Sequence, residues 1–143
     1  MEGSGSHVTA KEYLNKISKY DRLIENKKAE AQTWREIATN ISVNMSGERV
    51  QSSGSTDTVA NALCKAMDLE SEAERYELKR AAIIGTIERL DAVLYDVLHK
   101  IYVQGFAIKQ VAAHHHKCRE WASRKHTEAL EALEKILKGS NKQ

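Results

Sequence analysis

Apolar positions recur along this chain in alternating steps of three and four. Positions 13, 17, 20, 24, 27, 31, 34, 38 and 41 read Tyr, Ile, Tyr, Ile, Lys, Ala, Trp, Ala and Ile, the heptad seam of a coiled coil interrupted only by Lys27. Thr9 followed by Glu12 forms a capping box in which each side chain accepts from an otherwise unpaired backbone donor, and Val8 and Tyr13 bracket it as a hydrophobic staple. These signals predict a helix from Ala10 to Ile41. Residues 42–56, SVNMSGERVQSSGST, carry no period and are rich in Ser and Gly, which predicts a loop. Its length is unusual for a plain connection; Glu48 to Gly54 either cap a hairpin tip, touch a partner or lie in solvent. Thr56 or Asp57 is the expected cap of a second helix. There, positions 59, 62, 66, 69, 73, 76, 80, 83, 87 and 90 read Val, Ala, Ala, Leu, Ala, Tyr, Arg, Ile, Ile and Leu. Two such helices joined by a loop fold back as a long antiparallel hairpin, spanning residues 8–90.

Beyond Leu90 the texture changes. Asp91 is placed to cap a new helix with the stripe Leu94, Val97, Leu98, Ile101 and Tyr102, stopped by Gly105. A short helix holding Ile108, Val111 and Ala112 follows. A last helix runs to Lys138 with Ala122, Ala129, Leu130, Leu133, Ile136 and Leu137 inward. Helix, glycine, short helix, tight turn and long basic helix is the order of a helix-turn-helix, here residues 91–138. The ends are expected to be disordered: residues 1–7, MEGSGSH, read as a cloning leader without the apolar stretch of a signal peptide, and 139–143 as a frayed tail.

Composition reinforces an all-α reading. The chain has no Pro, one Phe and strong helix formers throughout its 143 residues. No apolar run is long enough to span a membrane. Cys64 and Cys118 are far apart with no CxxC pair, as in a protein whose thiols stay reduced, so an intracellular location without a disulfide is expected. The net charge of +2 is small, but its distribution is uneven. An acidic run lies between Asp68 and Glu77, and a basic one with three His lies between Lys109 and Lys125, an electrostatic footprint for a polyanion at the basic end.

With these segments laid out, two resemblances emerge. YVQGFAIKQVAAHHHKCREWASRKHTEALEAL aligns without gaps on the DNA-reading fourth region of bacterial sigma factors. Val111 and Ala112 match the apolar pair of the first motif helix, Cys118, Arg119 and Glu120 the opening of the recognition helix, and Ala129 and Leu130 a later Ala-Leu pair. From Val8 onward the chain also resembles small phage proteins of the ArpU-type late-transcription regulators. That similarity is carried by VTAKEYLNKISKYDRLIENK, ERVQSSGSTDTVANAL and LYDVLHKIYVQG. The resemblance implies a sigma-like activator of phage or prophage late genes, with double-stranded DNA as partner, host RNA polymerase as a further one, and no cofactor. The chain departs from the sigma pattern at four kinds of place. Ala107 stands where a Ser or Thr cap belongs, His115 and His116 where Leu and Gly belong, Cys118 at a Ser cap, and Ala122 and Lys125 at larger inward apolar positions.

Within that frame the base-facing side chains are Arg119, Glu120, Ser123, Arg124 and Thr127. Arginine suits the paired acceptors of guanine, and glutamate accepts from cytosine. Lys109, Lys117 and Lys125 are the expected phosphate contacts. The competing reading for each is a solvated charge on a surface helix. His114 to His116 would add positive charge as pH falls, since histidine titrates near neutrality. Paired half-sites favour a homodimer, for which the hairpin residues Tyr13, Ile17, Tyr20, Ile24, Trp34, Lys27 and Arg80 are the expected interface, against the alternative that they are intramolecular core.

Two further possibilities frame this reading. HHHKC contains zinc-ligand types, but neighbours on a helix point about 100° apart, so at most two converge, and His7, His99 and His126 are scattered. No metal is therefore expected. No Gly-rich phosphate loop, clustered carboxylates or Ser-His-Asp set can be drawn, so the chain is not expected to be an enzyme. A phage packaging protein of the small-terminase kind joins the same parts, and a helical interaction module acting on RNA polymerase or another regulator without DNA contact is the third reading.

Overall fold

The computed structural model describes residues 9–46 and 53–141, and all regular structure among them is helical. Helix α1 spans Ala10–Ser46 and α2 Ser53–Ile87. Helix α3 covers Ala92–Leu98 and runs into a π-helical turn at His99–Val103, followed by α4, Ile108–His114, and α5, Arg119–Asn141. The expected 42–56 loop is corrected at both ends. Residues 42–46 continue α1, because Ser, Val, Asn and Met cost only tenths of a kcal/mol each in a helix and no glycine or proline intervenes before Gly47. Likewise α2 begins at Ser53, so Thr56 and Asp57 lie inside the helix rather than capping it. Most of the Glu48–Gly54 stretch, Val8 and the 1–7 leader lie outside the described residues. At the other end, α5 carries residues 139–141 that were expected to fray.

By packing, the chain forms two compact units: Tyr20–Leu78, and Met1–Lys19 together with Lys79–Gln143. Thus Asp91 starts a new element as expected, yet the first turns of α1 and the last of α2 belong with the C-terminal helices.

In the first unit α1 and α2 run antiparallel. Tyr20 meets Tyr76 with ring centroids 5.6 Å apart, Lys27 meets Glu72 at 2.7 Å, and Lys65 Nζ lies 4.6 Å from the Trp34 ring. Ala31 and Ala38 on α1 and Ala62, Ala66 and Ala73 on α2 are buried along the seam; small side chains allow close approach of the axes. Charges flank it: Arg35 Nε and an Arg35 terminal nitrogen each donate to Glu70 at 2.8 Å, and Lys28 pairs with Glu77 at 2.7 Å. The Lys27 break in the heptad is resolved by its partner. The shared hydrogen bond raises the Lys27 ammonium above its ordinary value and holds the Glu72 carboxyl below its own.

The second unit closes around Leu14, Ile17, Ile83, Ile87, Leu94, Val97, Leu98, Val111, Ala112, Ala122, Ala129 and Leu133, all buried. The predicted capping box opens α1: Thr9 Oγ1 accepts from the Glu12 N–H at 3.1 Å, and Glu12 Oε1 from the Thr9 N–H at 3.2 Å. Asp91 caps α3 by accepting from the Val93 N–H at 3.2 Å. Gly105, at φ +80°, ends the π-helical turn in the left-handed region, where a side chain would be strained.

Residues of the inner seam make contacts within the chain, as the intramolecular-core alternative has it. Ile17 is fully buried, Tyr13 donates its hydroxyl hydrogen to Thr86 Oγ1 at 3.0 Å, and Tyr20, Lys27 and Trp34 have the contacts given above. Ile24 and Arg80 are half-buried.

Candidate nucleic-acid interface

The link between α4 and α5 shows how the departures from the sigma pattern are absorbed. Ala107 has no capping oxygen, and the start of α4 is instead tied by Gln110, whose Oε1 accepts from the Ala107 N–H at 2.7 Å. At the far end, His116 adopts φ +58°, the left-handed conformation for which glycine is the usual choice. The Lys117 N–H then reaches back to the Ala112 carbonyl at 2.9 Å and the His116 N–H to the Ala113 carbonyl at 3.1 Å. These two bonds make a Schellman turn, which satisfies carbonyls that would otherwise end α4 unpaired.

Beyond the turn, α5 is held by one face. Ala122, Ala129 and Leu133 are buried, and Ala122 joins Val97, Val111 and Ala112 in a cluster flanked by Ile101, Phe106, Ile108 and Trp121. At about 100° per residue, Arg119, Glu120, Ser123, Arg124 and Thr127 fall within an arc of roughly 140° on the opposite side. All five are exposed. Lys109 on α4 and Lys117 in the turn are exposed too. Lys125 differs: it is half-buried and its Nζ lies 3.3 Å from Glu128 Oε1, so a phosphate contact from it competes with an existing partner.

Asp96 on α3 ties the turn to its support. Its Oδ1 accepts from Lys100 Nζ at 2.9 Å, and its Oδ2 lies 2.7 Å from His115 Nε2. Burial would raise the Asp96 carboxyl, but the hydrogen bonds from Lys100 and His115 outweigh it and hold the group below its ordinary value. The His115 ring also packs on Trp121, centroids 5.2 Å apart, and Lys117 Nζ stands 5.9 Å from the same indole. One imidazole therefore touches α3, the turn and α5. Of the three consecutive histidines, His115 is committed to this contact, while His114 and His116 are exposed. Sequence reasoning missed Asp96 and Lys100. Their four-residue spacing was a usable signal, but the 19 residues separating Asp96 from His115 offered none.

A second tie braces α5 further along. Tyr102 Oη and His126 Nε2 are 2.8 Å apart. Burial, then the charge of Lys11, pushes His126 below the usual histidine range, and burial raises the Tyr102 phenol. The lowered value favours a neutral His126 in this hydrogen bond.

Among the described residues no three His, Cys, Asp or Glu side chains converge as a metal site, and Cys64 and Cys118 are free and exposed. No helix among them is long and apolar enough to cross a membrane. Comparison with known protein families, curated proteins and solved structures gives no match.

Proposed function

We propose that the chain is a phage or prophage transcription regulator that inserts the start of α5 into the major groove of double-stranded DNA. The carrying observation is the solvent-facing arc of Arg119, Glu120, Ser123, Arg124 and Thr127, set on a helix whose other face is buried and flanked by exposed Lys109 and Lys117. In this reading Arg119 and Arg124 donate to guanine edges, Glu120 accepts from cytosine, and Ser123 and Thr127 supply short adaptable contacts. Lys109 and Lys117 neutralise flanking phosphates, with Lys125 joining once it leaves Glu128. The sigma-like order of elements supports action at a promoter, in the bacterial cytoplasm, alongside host RNA polymerase. No catalytic step is part of this proposal.

Charge supports the same assignment. Residues 1–19 and 79–143 hold fifteen Lys and Arg against nine Asp and Glu, whereas 20–78 hold seven against eleven. The unit that contains α5 is thus the one suited to a polyanion. Footprinting the purified protein across its phage or prophage genome tests the proposal. Protection of a promoter region, lost in an Arg119→Ala, Arg124→Ala double variant, is the expected result. Protection confined to a packaging site would move the assignment to a packaging protein, and no protection anywhere to a protein-binding module.

A further inference from the structure

With the inner seam of the hairpin filled, the outer face of α2 stands out. Ala60, Cys64, Met67, Ser71, Glu74 and Leu78 follow one another at steps of four and three, and every one of them is exposed. Met67 is 58% and Leu78 68% accessible, the two largest apolar side chains on this stripe. A heptad facing solvent on a helix whose other side is already packed is the pattern of a second seam. Within the hairpin unit, Asp68 and Arg75 flank this stripe on one side and are exposed. On the other side Glu70 and Glu77 are held by Arg35 and Lys28.

We infer that this face binds a second copy of the chain, α2 against α2 in antiparallel orientation about a two-fold axis near residues 72 and 73. A two-fold contact is self-complementary, so each pairing occurs twice. In this register Met67 packs on Leu78 of the other copy, and Asp68 faces Arg75 of the other copy. Ser71 meets Glu74, where the hydroxyl donates to the carboxylate and a central polar layer fixes the register. The parallel alternative stacks Glu74 on Glu74 in the seam. Antiparallel pairing avoids that stack, and on its other flank Glu70 lies towards Glu77 of the other copy, each carboxylate already paired with Arg35 or Lys28 of its own chain. The inference is independent of DNA binding, and it supplies the second copy that two half-sites need.

Charge reversal tests it without relying on fold-sensitive core changes, using the full chain in sedimentation velocity at about 50 µM without DNA. The wild-type chain is expected to sediment as a dimer. Asp68→Arg alone faces arginine with arginine, and Arg75→Asp alone faces aspartate with aspartate; each is expected to weaken self-association at least tenfold. An equimolar mixture of the two single variants restores both pairs and is expected to dimerise again, as is the double variant. A monomeric wild-type chain, or single variants that dimerise as the wild type does, would overturn the inference. So would a mixture that stays monomeric while both variants keep wild-type helix content by circular dichroism.

Discussion

Replacing Asp96 by asparagine removes the one negative charge that Lys100 and His115 share. Lys100 is only 8% exposed, so its ammonium is left without a counter-charge in a place water reaches poorly. Breaking a fully buried ion pair on one side costs about 3–5 kcal/mol. Two features reduce that here. The Asp96 side chain is 32% exposed, which lets water approach, and asparagine keeps one acceptor for one of the two donors. The expected loss is about 2 kcal/mol, which moves the urea midpoint down by roughly 1 M for a chain of this size. Unfolding followed by tryptophan emission is well suited, because Trp121 packs on His115. The pH dependence carries the sign of the effect. With the folded carboxyl held below its unfolded value, its contribution is complete above about pH 4 and disappears as pH falls through the folded value. Wild type and Asp96→Asn should therefore differ at pH 7 and converge in acid as pH falls below that folded value. A loss under about 0.5 kcal/mol at pH 7, or one that is unchanged in acid, would refute the assignment of Asp96 as the tie between α3 and the turn.

Other changes read neighbouring parts of the same unit. His116→Gly relieves a left-handed side chain worth about 1 kcal/mol, partly offset by the greater freedom of unfolded glycine, so the melting temperature should rise by roughly 2 °C; a fall would contradict the Schellman turn. Tyr102→Phe deletes the hydrogen-bond partner of His126 and should cost about 1 kcal/mol at pH 8, read by chemical denaturation. His99, lowered by burial and then by Lys100 and Arg80, and His126, lowered by burial and then by Lys11, both favour the neutral form in the fold. Their contribution is present above about pH 6.5 and is lost as pH falls through the lowered folded values, so the wild-type urea midpoint should drop between pH 8 and pH 5. A midpoint that rises over that interval would reverse this sign.

The helical frame was legible because α1 and α2 repeat apolar residues over many turns, and because Thr9 with Glu12 and Asp91 are side-chain caps set by local spacing alone. Helix ends near residue 50 were not, since Ser, Asn and Gly lower helix propensity without stopping a helix that has seam contacts on its other turns. His116 was readable as the glycine substitute in the turn, and its positive φ follows from that frame. Asp96 was hidden by distance along the chain. The outer stripe of α2 was hidden differently: it is weakly apolar, with Ala, Cys and Ser between Met67 and Leu78, and only the exposure of those two residues separates it from an ordinary solvent face. The heptad of the inner seam suits intramolecular core as well as a partner face, and the contacts of Tyr13, Tyr20, Lys27 and Trp34 within the chain fit the first of these.

The salt dependence of duplex binding tests the central claim most directly. Lys109 and Lys117 are exposed cations flanking the start of α5, and each phosphate neutralised contributes about 0.9 to the slope of log affinity against log salt. With Lys125 joining them, fluorescence anisotropy with a labelled duplex should give a slope of roughly −2 to −3 per bound chain, and a Lys109→Ala, Lys117→Ala double variant should lower its magnitude by about 2. Absence of salt-dependent binding at low ionic strength, or a slope that this double variant leaves unchanged, would contradict the assignment of α5 and its flanking lysines as a DNA-binding surface.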